Sequence, residues 1–236
     1  NTLWASISKA VRLPSRLDSD SIKRGALDLK AESSLNYEIG HRLHLTDFYL
    51  DNTLFVSNYD NLIEIDGTST ITDENNKTQY QYNNIITAKT WGFESTLTWK
   101  ISEDLKIGGA YSYFGIDAEQ KDSSSIDQYN AIIKYETTHP LHQFNLHSYY
   151  NLNSNLELDS FIYYVDSIQN GVSSSSGGGV PSNIRADVRL AYCQKHYSVN
   201  IGVQRALSDN YAQYSTSSSR AVNVERNIYA ELVRKY

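Results

Sequence analysis

The 236-residue sequence has no apolar run approaching the roughly 18 to 20 residues that a membrane-spanning helix requires, so helical insertion into a bilayer is excluded. A strand-built membrane protein is not excluded, because apolar and polar residues alternate in it and its mean hydropathy resembles that of a soluble chain. Cys193 is the single cysteine, so there is no internal disulfide framework, and no Cys/His cluster has zinc-site spacing. It reads as an inert thiol on a strand, and neither a metal site nor a cofactor is expected. Methionine is missing entirely, even at position 1, which implies a chain processed or cut from something longer. A signal peptide is also missing, which says nothing about export of such a chain. The balance of 21 basic against 27 acidic residues lacks the basic excess that nucleic acid would select.

What the sequence does contain is period-two alternation, with nothing of helical period sustained over a dozen residues. Ten strands are expected, at about 3–11, 33–44, 48–59, 88–101, 105–114, 142–152, 156–166, 184–193, 198–207 and 226–236, and the class is all-β. Four connections are tight polar turns: 45–47, 102–104, 153–155 and 194–197. The alternate ones, at 12–32, 60–87, 115–141, 167–183 and 208–225, are long, and all three prolines, Pro14, Pro140 and Pro181, lie in them. In an up-and-down meander, strict short/long alternation puts every long loop at one end. A soluble sandwich has no reason for this, whereas an outer-membrane barrel has short periplasmic turns and longer extracellular loops.

The strand IRADVRLAY shows the consequence for solvent. Ile184, Ala186, Val188, Leu190 and Tyr192 share one face, and Arg185, Asp187 and Arg189 share the other. An ion on the bilayer face costs about 2–4 kcal/mol at the midplane, so the first face is assigned to lipid and the second to a wet lumen. Leu156, Leu158, Ile162 and Tyr164 against Glu157, Asp159 and Tyr163 follow the same rule. Trp4, Tyr37, Trp99, Tyr150, Tyr164 and Tyr236, near strand ends, suit the aromatic girdles at the two interfaces. The ending 228–236 carries a terminal aromatic in phase with Ile228, Ala230 and Leu232, as a closing strand that descends to the periplasm would.

An ordered set of segments carries a family resemblance: LWASISKAVRLPSR (3–16), ESSLNYEIGHRL (32–43), LFVSNYDNLI (54–63), WGFESTLTW (91–99), GGAYSYF (108–114), the stretch 139–166, and ERNIYAEL (225–232). Together they resemble the C-terminal part of TonB-dependent receptors, energised outer-membrane transporters with a 22-stranded barrel around an N-terminal plug. The resemblance implies about ten strands of that larger barrel, without the plug, the TonB-contacting segment and the other strands. It implies outer-membrane lipid, TonB, the plug and a siderophore-like small molecule as partners, and bacterial outer-membrane localisation. By the same resemblance, Glu38, Arg42, Glu94, Arg185 and Arg189 line the lumen against the plug. The sequence departs from the family at Arg205-Ala206-Leu207, where an Asn-Leu pair is common, and at Arg234, where an apolar or aromatic residue is usual.

No catalytic constellation is read. His139 and His142 flank a proline at a loop-to-strand entry, His147 faces the lumen beside Asn145, and none has a fixed acidic partner. Asp117, Glu119, Asp122 and Asp127 fall in an expected extracellular loop, where ten-stranded outer-membrane proteases carry acids; a rim protease is thus one alternative and a passive porin or adhesin another. Loop tyrosines Tyr80, Tyr82, Tyr129 and Tyr135 are the candidate ligand contacts.

Overall fold

The computed structural model describes all residues except 17, 19–27, 73–75, 77, 122–131, 133–135, 169–179, 208–209, 213–222 and 235–236. Ten strands form one antiparallel sheet in chain order: β1 (Thr2–Arg12), β2 (Glu32–His44), β3 (Phe48–Thr72), β4 (Thr78–Lys100), β5 (Leu105–Gln120), β6 (His142–Asn153), β7 (Leu156–Val165), β8 (Asn183–Cys193), β9 (Tyr197–Gln204) and, last, β12 (Asn227–Arg234). Between β9 and β12, a short two-stranded ribbon pairs β10 (Asn210–Ala212) with β11 (Asn223–Glu225). Apart from the β10–β11 ribbon interposed between β9 and β12, every neighbour in the large sheet is the next strand along the chain, the up-and-down meander that the turn lengths predict. The first and last strands, β1 and β12, do not pair with each other, so this is a wall and not a closed barrel.

Burial is inverted relative to a soluble protein. Leu3, Ile7, Ile228 and Leu232 are each more than two-thirds exposed, whereas Asp159 is 4%, Asn200 5% and Ser198 6% exposed. The alternation places Ile184, Val188, Leu190 and Tyr192 on the outer face, level with Leu158, Ile162, Val199 and Ile201 of the adjoining strands. Arg185, Asp187 and Arg189 take the inner face of the same strand. A surface with large aliphatics outside and salt-bridged carboxylates inside is stable only if hydrocarbon bathes the first and water the second.

Three strands are longer than the alternation suggested. β3 and β4 run on past residues 59 and 88 as one hairpin, and β5 continues to Gln120 beside it. The added 60–72 arm is about 40 Å long at 3.3 Å per residue, which carries the hairpin well beyond the apolar band. The β-branched and aromatic content of 62–72 and 78–88 sustains pairing there. Register shifts at Tyr59/Leu62 and Asp66/Thr70, with Asn61 at φ 58°, mark bulges. Asp117 and Glu119 therefore stand on a strand and not in a loop, as do Tyr80 and Tyr82. At the other extreme β9 stops at Gln204, three residues early, because Arg205 adopts φ 61° and turns the chain off the sheet.

The girdle aromatics divide. Trp99 lies outside against Phe48, with ring centroids 6.2 Å apart, and Tyr150, Tyr164 and Tyr37 also face outward. Trp4 does not: it pairs with Gly40 on the inner face, and its indole lies where a side chain at Gly40 would stand, 2.2 Å from an ideal Cβ. The strand is in phase with outward Leu3 and Ile7, so an even-numbered residue must point in. Tyr236 lies outside the described residues.

Candidate functional site

The inner face is built by the alternate residues of each strand, and its two halves differ in chemistry. On the β7–β12 half, Arg189 joins three strands: Nε donates to Asp159 Oδ2 at 2.7 Å and Nη1 donates to Asn200 Oδ1 at 3.2 Å. Asn200 in turn donates to Glu231 Oε2 at 2.9 Å, and Glu157 lies 3.6 Å from the guanidinium. Asp187 is bound by Arg185 and accepts the backbone N–H of Arg205 at 2.9 Å, so it also holds the left-handed turn that ends β9. Arg205 Nη1 reaches the carbonyl of Val224 and ties the β10–β11 ribbon to the wall. Asn227 donates to Gln204 at 3.4 Å. On β2–β3, Arg42 Nε donates to Asp51 Oδ2 at 2.8 Å, and Tyr49 donates its hydroxyl to the same oxygen.

The β4–β6 section is different. Glu94, Thr96, Ser112, Gln143 and Asn145 line an inward depression of about 310 Å³, floored by Ala110 and edged by Tyr163. Among the described residues none of those five side chains has a hydrogen-bond or ion-pair partner, and Glu38 on β2 is equally unpaired. An aromatic ladder borders the depression: His147, Tyr149, Phe161 and Tyr163 pack ring to ring at 5.3–6.5 Å, and Arg185 lies 5.4 Å above the Tyr163 ring. Gly108 makes the ladder possible, since a Cβ there would sit 2.2 Å from the His147 ring that crosses it. The ladder escaped the sequence reading, although Phe161 and Tyr163 share the phase of Asp159.

Above the apolar band the arms gather into a shelf. Ile85, Ile86 and Ala118 form a small core with Leu62, Ala88 and Ile132 packed on it. Asn84 pins the β1–β2 loop by pairing with the backbone of Lys30, accepting its N–H at 2.7 Å and donating to its carbonyl at 3.0 Å. Lys121 donates to Asn61 at 2.6 Å, and Glu136 accepts the amide of Ala118 at 3.0 Å, which joins the β5–β6 connection to the same unit. Asp66, on this shelf, has its carboxyl held below the ordinary range. Burial alone would raise it, but hydrogen bonds from the Thr68 hydroxyl and amide and from Asn83 together outweigh that.

The structure places every described site residue in turn. Glu38, Arg42, Glu94, Arg185, Asp187 and Arg189 are all on the inner face, Arg42, Arg185, Asp187 and Arg189 in ion pairs and Glu38 and Glu94 without a partner among the described residues. Tyr80 is 44% exposed on the shelf, with Tyr82 two residues below it on β4; Tyr129 and Tyr135 lie outside the described residues, as do Asp122 and Asp127. His142 faces outward and meets the Tyr111 hydroxyl at 2.9 Å. Among the described residues no group of three or more His, Cys, Asp or Glu side chains is arranged to hold a metal ion.

Comparison with known proteins defines the class. The profile described as "TonB dependent receptor-like, beta-barrel" matches residues 1–204. A search of curated proteins finds no relative by sequence. Among solved structures, the ferric-catecholate import receptor Fiu of E. coli K12 is similar at TM-score 0.72 and 17% identity, over 98% of this chain and 32% of that one. The ferric enterobactin receptor PfeA of Pseudomonas aeruginosa is similar at 0.69 and 20%, over 98% and 37%, and the copper transporter OprC at 0.65 and 14%, over 98% and 36%. An antiparallel meander with an apolar perimeter and a polar inner face is the wall of an outer-membrane barrel. The chain belongs to the TonB-dependent receptor β-barrel family, whose members are transporters and receptors of the Gram-negative outer membrane. It spans about a third of the length of these structural relatives.

Proposed function

We propose that the chain is the C-terminal part of a 22-stranded receptor barrel that takes up a scarce nutrient, a ferric siderophore, with energy delivered through TonB. The observation that carries the reading is the inner wall. Arg42, Arg185 and Arg189 there are paired with Asp51, Asp187 and Asp159, whereas the carboxylates of Glu38 and Glu94 stand at mid-wall with no cation among the described residues. A plug supplying arginine or lysine side chains would complete them, since a lumen-filling domain needs partners on the wall. The siderophore reading rests on the named cargo of the similar structures, ferric enterobactin and ferric catecholates, one of the three being a copper transporter instead. In this mechanism the shelf with Tyr80 and Tyr82, together with Tyr129 and Tyr135, meets the arriving complex, and the barrel performs no catalysis.

The test is growth of the source bacterium under iron limitation after deletion of the gene, with single siderophores of catecholate and hydroxamate type supplied in turn. Loss of uptake of radiolabelled iron from one type, restored by the intact gene, is the expected result. Unchanged uptake from all of them, with loss of a copper or carbohydrate uptake instead, sinks the siderophore assignment and leaves the transporter reading standing.

A further inference from the structure

The inner wall is divided into a saturated sector and an unsaturated one, and this division bears on how the lumen opens. Across β7, β8, β9 and β12, Arg189, Asp159, Asn200, Glu231, Arg185 and Asp187 use their hydrogen-bonding capacity on one another. A domain resting on that sector gains less there, because new partners for Arg185, Asp187, Arg189, Asp159 and Asn200 compete with ones already present. Across β4, β5 and β6 the opposite holds. Glu94, Thr96, Ser112, Gln143 and Asn145 have no partner among the described residues, and they surround a depression into which side chains fit. Among the described residues the one charge lining that depression is the Glu94 carboxylate, so its occupant is cationic or rich in N–H donors.

We propose that the plug is anchored to the β4–β6 sector and parts from the β7–β12 sector, so that the solute path opens along the salt-bridged side of the wall. The proposal rests on the plug reading above and adds to it which face of the lumen holds and which releases. Adhesion concentrated on one sector makes partial displacement a rotation away from the other, and that leaves the anchored side intact throughout the cycle. The Arg185–Asp187 and Arg189–Asp159 pairs then line the opened path as a hydrated surface in which both guanidinium groups are already neutralised.

The experiment uses the full-length receptor, purified, with Cys193→Ser and one new cysteine in each sector: Ser112→Cys on β5 and Gln204→Cys on β9. Thr96→Cys and Asn227→Cys serve as second positions on the same two sectors. Labelling by a polymer-linked maleimide is followed as urea is raised below the concentration that unfolds the barrel. Both positions are expected to be protected without urea, and position 204 to gain about tenfold in rate at a urea concentration that leaves 112 protected. Equal release, or release at 112 first, overturns the proposal while leaving a plugged lumen. Free labelling at both positions without urea shows that no plug fills the lumen, and the reading beneath the proposal fails instead.

Discussion

Replacing Val188 by arginine puts the solvent assignment under direct strain. Val188 is 40% exposed on the outer face, at the middle of β8, opposite Ser160 of β7 and Val203 of β9. If that face meets water, a valine-to-arginine change at an exposed strand position shifts stability by about 0.5 kcal/mol or less. If it meets the hydrocarbon midplane, the cost is about 2–4 kcal/mol, a factor of about 30 to 1,000 in the folding equilibrium. Position 197 gives the internal control. Tyr197 lies beside the tight turn that follows β8, opposite Arg234 on β12, where an arginine is already tolerated, and Tyr197→Arg is expected to cost no more than about 1 kcal/mol. The assay is reversible folding of the receptor into phospholipid vesicles across a denaturant series, with both variants side by side. Equal costs at 188 and 197, or a cost near zero at 188, refutes the reasoning, because depth dependence belongs to a bilayer and not to an aqueous surface.

The remaining expectations concern the wall and the shelf. Asp159→Ala leaves Arg189 without its buried partner and is expected to destabilise the barrel by about 1–3 kcal/mol, discounted because the guanidinium is about one-third exposed; Asp159→Asn should cost less in the same folding assay. Asn84→Ala removes both bonds to the Lys30 backbone, so limited proteolysis within 12–32 should speed up while barrel stability is unchanged. Asp66 has a folded-state carboxyl below its ordinary 3.8. Its contribution is therefore complete above that value and is lost as the pH falls through the lower, folded one. Amide exchange of the 62–72 arm is expected to accelerate at acid pH in the native receptor and not in Asp66→Asn. Tyr80→Ala, at a 44% exposed position outside the apolar cluster of the shelf, should weaken ligand binding with unchanged folding; equal affinity for the transported complex would remove that tyrosine from the contact surface.

Much of this was legible in the sequence, because a lipid-facing strand must alternate strictly and a one-residue slip would place arginine in hydrocarbon. Arg185, Asp187 and Arg189 against Ile184, Val188 and Leu190 is such a pattern, and Glu38, Arg42 and Glu94 share the sheet face of those three charged residues. The turns at 45–47, 102–104, 153–155 and 194–197 fixed the strand order, since tight turns join only adjacent antiparallel strands. What the sequence concealed obeys weaker constraints. The arms at 60–72 and 78–88 leave the bilayer, so no solvent boundary enforces their alternation, and bulges at Asn61 and Asp66 break the phase. Trp4 departs from the expectation because an aromatic near a strand end suits a girdle on composition alone, whereas its phase, opposite to that of Leu3 and Ile7, and the space left by Gly40 put it inside. The partners of Arg42 and Arg189, Asp51 and Asp159, depend on register between strands, which alternation within one strand does not specify. The departure at Arg205 gains a reason from the structure: the position requires a left-handed backbone, where asparagine is favoured and arginine is not, and here the Asp187 carboxylate and the Val224 carbonyl hold it.

A nitroxide scan of positions 184 to 192, one cysteine at a time in the Cys193→Ser background, reads the polarity of the wall without reference to any ligand. In receptor reconstituted into lipid vesicles, collision with oxygen should peak at 184, 186, 188, 190 and 192 and fall at each odd position between them, with a water-soluble nickel chelate excluded from the even ones. Oxygen maxima at 185, 187 and 189, or no alternation at all, would contradict the assignment of hydrocarbon to the outside and water to the inside.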